Sequence, residues 1–333
     1  MPPHDAHSQR LQTFASALPG TEHLYLLLDP LAAYPIEGAL SGRHLAEHLG
    51  TARVYPIPCR RLAHSTAHQP LLCQLAGPGL RLATTALQAS VLRACQEQGA
   101  QQRYICGWLH SRACIAEVAR HISRQADGLP ELGGAALPWY EPLRLELLAT
   151  TLGDSLGGLL GPIQSWWAPS SWGPIAQWAG GGRATDEQCA RATQAQALVP
   201  LVRRLLDLWR AAQRAPLVHF APANGNSAAL PPNAAREALS LILHAQTLGL
   251  HRTQDILALC LGRACVDQRL HEHPGIRLHI DQAARGVHPL PVALARYHGG
   301  QWQSLLAEPS DTRQGRAFSQ TLPTADAVPG RTD

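Results

Sequence analysis

The sequence predicts an α+β or α/β fold, a mixed N-terminal lobe followed by a mostly helical C-terminal lobe. Three observations predict it. Short apolar runs alternate with helical patterns over residues 20–165, helical periodicity dominates after residue 185, and 333 residues suffice to bury two modest cores. A hydrophobic fraction of 45% with 16% charged residues describes a folded, weakly charged chain.

In chain order, residues 1–21 are expected to be a flexible N-terminus, 22–180 the α/β lobe, 181–305 the helical lobe, and 306–333 a disordered tail. Leu24–Leu28, closed by Asp29-Pro30, reads as a buried strand ending in a turn. Residues 52–57 and 70–75 read as further strands whose prolines mark edges or ends, and 103–109 as another. A helical pattern fills 80–98. Ile115, Val118, Ala119 and Ile122 repeat at i, i+3, i+4, i+7, the mark of an amphipathic helix. Pro142 suits the first position of a helix to Leu152, with Glu141 as its cap.

Thr185-Asp186-Glu187-Gln188 resembles a capping box opening a long helix that Pro200 kinks or restarts. After a Pro/Asn/Gly-rich loop (221–233), helices are expected over 234–248, closed by Gly249, and over 253–266. Weaker ones follow at 273–285 and 289–297.

The net charge of +4 is spread along the chain, so nothing presents a docking stripe for nucleic acid. Every Lys/Arg cation is arginine. Eight cysteines without C-x-x-C spacing, and an N-terminus lacking the apolar core of a signal peptide, point to a reduced cytoplasmic protein. Residues 155–182 are uncharged, but their glycines and prolines exclude a continuous membrane helix.

His44-Leu45-Ala46-Glu47-His48 matches the H-x-x-E-H pattern, which would set two imidazoles on one helical face beside a base. The alternative function is therefore a zinc-dependent hydrolase using His44, Glu47 and His48, against the plainer reading of a solvated helix face. His64 and His68, and His271 and His273, read as surface histidines. No G-x-S-x-G elbow, P-loop or G-x-G-x-x-G fingerprint occurs, and no cofactor is implied.

The most specialised stretch runs from Leu137 to Trp178 and holds five of the eight tryptophans: Trp139, Trp166, Trp167, Trp172 and Trp178. Three readings are open. It could be a core hairpin packing the two lobes together, a protein-docking surface, or a carbohydrate platform, though the last lacks accompanying Asp/Asn clusters. On the docking reading the partner-binding residues are Trp139, Tyr140, Glu141, Arg144, Trp166, Trp167 and Trp172.

Here the chain resembles the adaptor chaperones of bacterial type VI secretion (domain of unknown function 4123). The matching residues are the strand Leu24 to Asp29, Trp139-Tyr140-Glu141-Pro142, the helix to Leu152, and Gly161-Pro162-Ile163 with Trp166. The later helices flanking Gln246-Thr247-Leu248-Gly249-Leu250 match as well, so the likeness spans residues 22–300. Glu141 stands where the family has Asp, and Arg144 comes one place late. The resemblance implies a non-enzymatic cytoplasmic adaptor that binds a toxic effector and helps load it onto the spike protein of the valine-glycine-repeat type.

Overall fold

The apolar run at 24–28 lies at the heart of a six-stranded sheet. Its order is β2 (Val54–Pro56), β3 (Leu71–Ala76), β1 (His23–Leu28), β4 (Ile105–Ser111), β5 (Ile163–Pro169) and β6 (Ile175–Ala179). The computed structural model describes residues 3–35, 38–128, 136–214, 229–297 and 302. Every neighbouring pair of strands is antiparallel. The alternation of strands and helices yields no parallel ladder because β1 sits between β3 and β4, the two strands joined by α3 (Thr84–Gln96).

Both sheet faces are covered, which is why β1 reads as an unbroken apolar run instead of an alternating one. Leu24, Leu26 and Leu28 pack with Trp108 and Trp167 against α1 (Pro3–Ser16), α2 (Gly42–Leu49) and α3. Tyr25 and Leu27 face the other way, toward α4 (Ile115–Asp127), α5 (Pro142–Leu152) and α6 (Leu156–Leu160).

The stretch expected to be a flexible N-terminus forms α1 instead. Leu11, Phe14, Ala15 and Leu18 recur at helical spacing and join the core beneath the sheet, with Leu11 and Ala15 buried. That periodicity is short, and it lies in a polar, His-rich context that masks it. The expected tail (306–333) and most of the 221–233 loop lie outside the described residues.

The helical lobe comprises α7 (Asp186–Ala197), α8 (Val199–Arg214), α9 (Ala234–Thr247), α10 (Thr253–Cys265), α11 (Pro274–Ala284) and α12 (Leu290–Leu294). The Thr185 capping box forms as expected, and Pro200 restarts the chain as α8 directly after α7. Its core gathers Val202, Leu205, Leu206 and Trp209 of α8 with Ala238 and Ile242 of α9 and Ile256 and Leu259 of α10.

Helix α5 belongs to both lobes. Leu145, Leu148 and Leu152 pack toward the sheet, whereas Leu143 and Leu147 pack into the helical core. A helix apolar on more than one side must be buried on more than one side. Leu147→Ala is expected to cost about 2–5 kcal/mol and to lower the urea midpoint of both lobes together. Circular dichroism and tryptophan fluorescence would then report one shared transition; separate transitions would refute the coupling.

Candidate functional site

The residues that carry the sequence motifs converge on the N-terminus of α5, between the sheet and the helical lobe. Glu141 has extended backbone dihedrals and caps the helix, its carboxylate accepting the Arg144 N–H at 3.1 Å. The same carboxylate forms an ion pair with Arg203 of α8 at 3.0 Å. Arg144 turns to α7: its Nη1 donates to Gln196 Oε1 at 3.1 Å, and Gln196 Nε2 donates back to the Arg144 carbonyl at 3.0 Å. Glu141 and Arg144 therefore make a cap, and the ion pair goes to a residue 62 positions away in sequence. The longer Glu side chain reaches both its own helix start and Arg203.

The other end of the Trp-rich segment is held just as closely. The β5–β6 turn is gripped from three sides. Buried Arg103 donates to the carbonyls of Pro169 (2.8 Å) and Ser170 (3.0 Å). Glu146 of α5 accepts from the Ser171 N–H (2.7 Å) and hydroxyl (2.9 Å), and Arg210 of α8 donates to the Ser171 carbonyl (2.9 Å). Burial pushes the Glu146 carboxyl above its ordinary range and Arg103 below its own.

The segment comprises α5, α6 and the β5–β6 hairpin, and the turn of that hairpin packs against both lobes through Arg103, Glu146 and Arg210. Trp139, Tyr140 and Trp166 are fully buried, so a direct partner contact through them is corrected here: none can be touched in the folded chain. Their indole N–H groups find partners inside, Trp139 on the Ile122 carbonyl (3.4 Å) and Trp166 on the Cys106 carbonyl (3.2 Å). The two rings meet edge to face at 5.2 Å. Glu141 is likewise buried, while Arg144 and Trp172 are half-buried.

Trp167 points to the opposite sheet face and is only 4% exposed. It floors an open groove of about 480 Å³ whose walls are Ala6, Gln9, Arg10, Thr13 and Phe14 of α1. The Arg10 guanidinium lies over its ring at 4.9 Å.

Asp29, at the end of β1, is 8% exposed and accepts the Leu31 N–H at 3.0 Å. Burial, with some help from Glu141, raises its carboxyl from 3.8 to about 6. The neighbouring Tyr140 phenol is pushed up by burial and by Asp29. Sequence reading missed Arg103, Glu146, Gln196, Arg203 and Arg210. One of them was signalled: Glu146 is a lone acid in an apolar helix, which must either leave that helix's buried faces or find a partner.

His44, Glu47 and His48 do come together on α2, with donor atoms within 4.8 Å of one another. They stand at the surface, and Glu47 pairs with Arg43 at 2.9 Å. Among the described residues no helix is long and apolar enough to cross a membrane. No protein-family model, curated protein or solved structure matches this chain.

Two outcomes follow. Trp166→Ala, which empties an indole-sized space, should lower stability by about 3–5 kcal/mol, measured by urea unfolding. For Asp29, both folded and unfolded states are protonated below pH 3.8; stability then falls as pH rises through about 6, where the buried carboxylate ionises. Asp29→Asn keeps the acceptor for Leu31, so it should stabilise the protein by about 2–3 kcal/mol more at pH 8 than at pH 4. An equal effect at both values would show that burial does not disfavour the ionised acid.

Proposed function

We propose that this chain is a non-enzymatic adaptor chaperone. It binds a toxic effector in the bacterial cytoplasm and assists its loading onto the type VI secretion spike protein of the valine-glycine-repeat type. One observation supports the reading: several residues behind the resemblance, far apart in sequence, lie near one another. Glu141 is near enough to help raise the Asp29 carboxyl, and Trp139 packs edge to face on Trp166.

In this reading these residues are the frame and the binding surface lies outside them. The Trp-rich hairpin and α5 join the two lobes into one platform. The effector seats an apolar side chain in the groove floored by Trp167, where the ring and the Arg10 guanidinium offer apolar area with a charged rim. Binding of this kind is stoichiometric and turns over no substrate.

Co-expression with each toxin-like protein encoded beside this chain, followed by size-exclusion chromatography, tests the reading. A one-to-one complex is expected with one of them, and failure with every neighbour would sink it. Arg10 is exposed, so Arg10→Glu should weaken the complex about tenfold, roughly 1.4 kcal/mol, while loss of its contact with Trp167 costs the free protein only about 0.5–1 kcal/mol.

A further inference from the structure

The histidine pair on α2 is not used by the adaptor reading, and with Glu47 it brings three donor atoms within 4.8 Å of one another on one helix. We infer that His44, Glu47 and His48 form a surface site for a borderline divalent transition cation, zinc or one of its neighbours. Positions i, i+3 and i+4 of one helix lie on one face, so both imidazoles and the carboxylate converge without any help from a loop. The rings are stacked, with centroids 3.8 Å apart and planes 25° from parallel, so one exposed ring turns about its side-chain bonds for both lone pairs to meet an ion.

A second observation concerns the tautomer. His48 Nδ1 lies 2.9 Å from the His44 carbonyl oxygen. A carbonyl can only accept, so Nδ1 carries the hydrogen and the neutral ring presents its lone pair at Nε2. Metal-binding histidines are held in this way, one ring nitrogen donating to a carbonyl while the other binds the ion. The helix sets the three side chains on one face, and side-chain rotation brings them onto the ion.

The helix itself is well fixed. Ser41 caps it, its hydroxyl accepting the His44 N–H at 3.2 Å, and Gly50 ends it. Leu45 is buried on the side facing the core, which leaves Glu47 and His48 exposed. The three donor atoms lie within 4.8 Å of one another. A tetrahedral ion with bonds of about 2.0–2.1 Å needs its donors about 3.3 Å apart, so side-chain rotation closes the site. Glu47 must leave Arg43, an exposed i, i+4 pair that contributes little. Two nitrogens and one oxygen favour zinc, copper, nickel or cobalt over calcium or magnesium, which prefer all-oxygen shells. The remaining coordination position faces solvent.

Calorimetric titration of the full chain with Zn2+, in a buffer that does not chelate, tests the inference, with Co2+ absorption as a second readout. One ion per chain is expected at this site. His44→Gln and His48→Gln should each weaken it by about tenfold or more, since loss of even an outer partner of a metal site costs about 10–100-fold. Glu47→Gln should weaken it less, and the paired change His64→Gln with His68→Gln should leave it intact. Circular dichroism of the metal-free variants checks that α2 still forms. Two results would overturn the inference: no binding at millimolar Zn2+, or binding that survives the double change His44→Gln with His48→Gln.

Discussion

One helix has to satisfy two cores at once, and much of the rest follows from that. Helix α5 presents leucines to the sheet on one side and to the helical lobe on the other. A helix so enclosed cannot leave its terminal N–H groups to water, and Pro142 removes one of them by having none. Glu141 serves the N–H of Arg144 and, through the same carboxylate, the guanidinium of Arg203. The cap is therefore also a tie between the lobes, a consequence of where the helix lies.

The same enclosure explains the fate of the tryptophans. An indole at a surface gives up apolar burial, and an indole in a core must find an acceptor for its N–H. For Trp139 and Trp166 the acceptors are the carbonyls at Ile122 and Cys106, and the backbone makes room for the Trp166 ring at Gly107. Its φ of +144° is open to glycine, and a side chain there would meet Trp166 Nε1 and the Trp167 carbonyl. Trp166 and Trp167, adjacent in β5, go to opposite covered faces of the sheet. Trp167 alone of the β5 pair lines a groove reached from outside, because α1 covers its face with smaller and more polar residues.

How much of this the sequence disclosed depends on the range of the interactions. The first four strands, the Glu141 cap, the Thr185 capping box and the restart at Pro200 were legible because each is set within about four residues, whereas β5 and β6 were not named as strands. Helix α1 was not, since its stripe of Leu11, Phe14 and Ala15 is short and acquires meaning only against the sheet. The insertion of β1 between β3 and β4 was equally hidden, because strand order is a long-range property that alternation does not encode. The candidate site was half legible. Trp139, Glu141 and Arg144 stood out by composition and motif, but whether they face a partner or the interior depends on Gln196, Arg203 and Arg210. Those residues lie 52 or more positions beyond Arg144 and carry no local signal.

The buried charges give the lobes' arrangement its direction. Removing Arg103 and Glu146 from water is costly, and such groups seldom add net stability over apolar residues of the same size. What they add is selectivity among arrangements. Apolar contacts between α5, α8 and the β5–β6 turn would tolerate sliding of the turn along either helix. The Pro169 and Ser170 carbonyls must meet both arms of one guanidinium, and the Ser171 N–H and hydroxyl must meet one carboxylate, while Arg210 takes the remaining carbonyl. Any slip of the turn would leave buried donors and acceptors unpaired, each at about 1–3 kcal/mol or more for the charged ones. The leucines draw the two lobes together, and the charges at the hairpin tip set the register in which they meet.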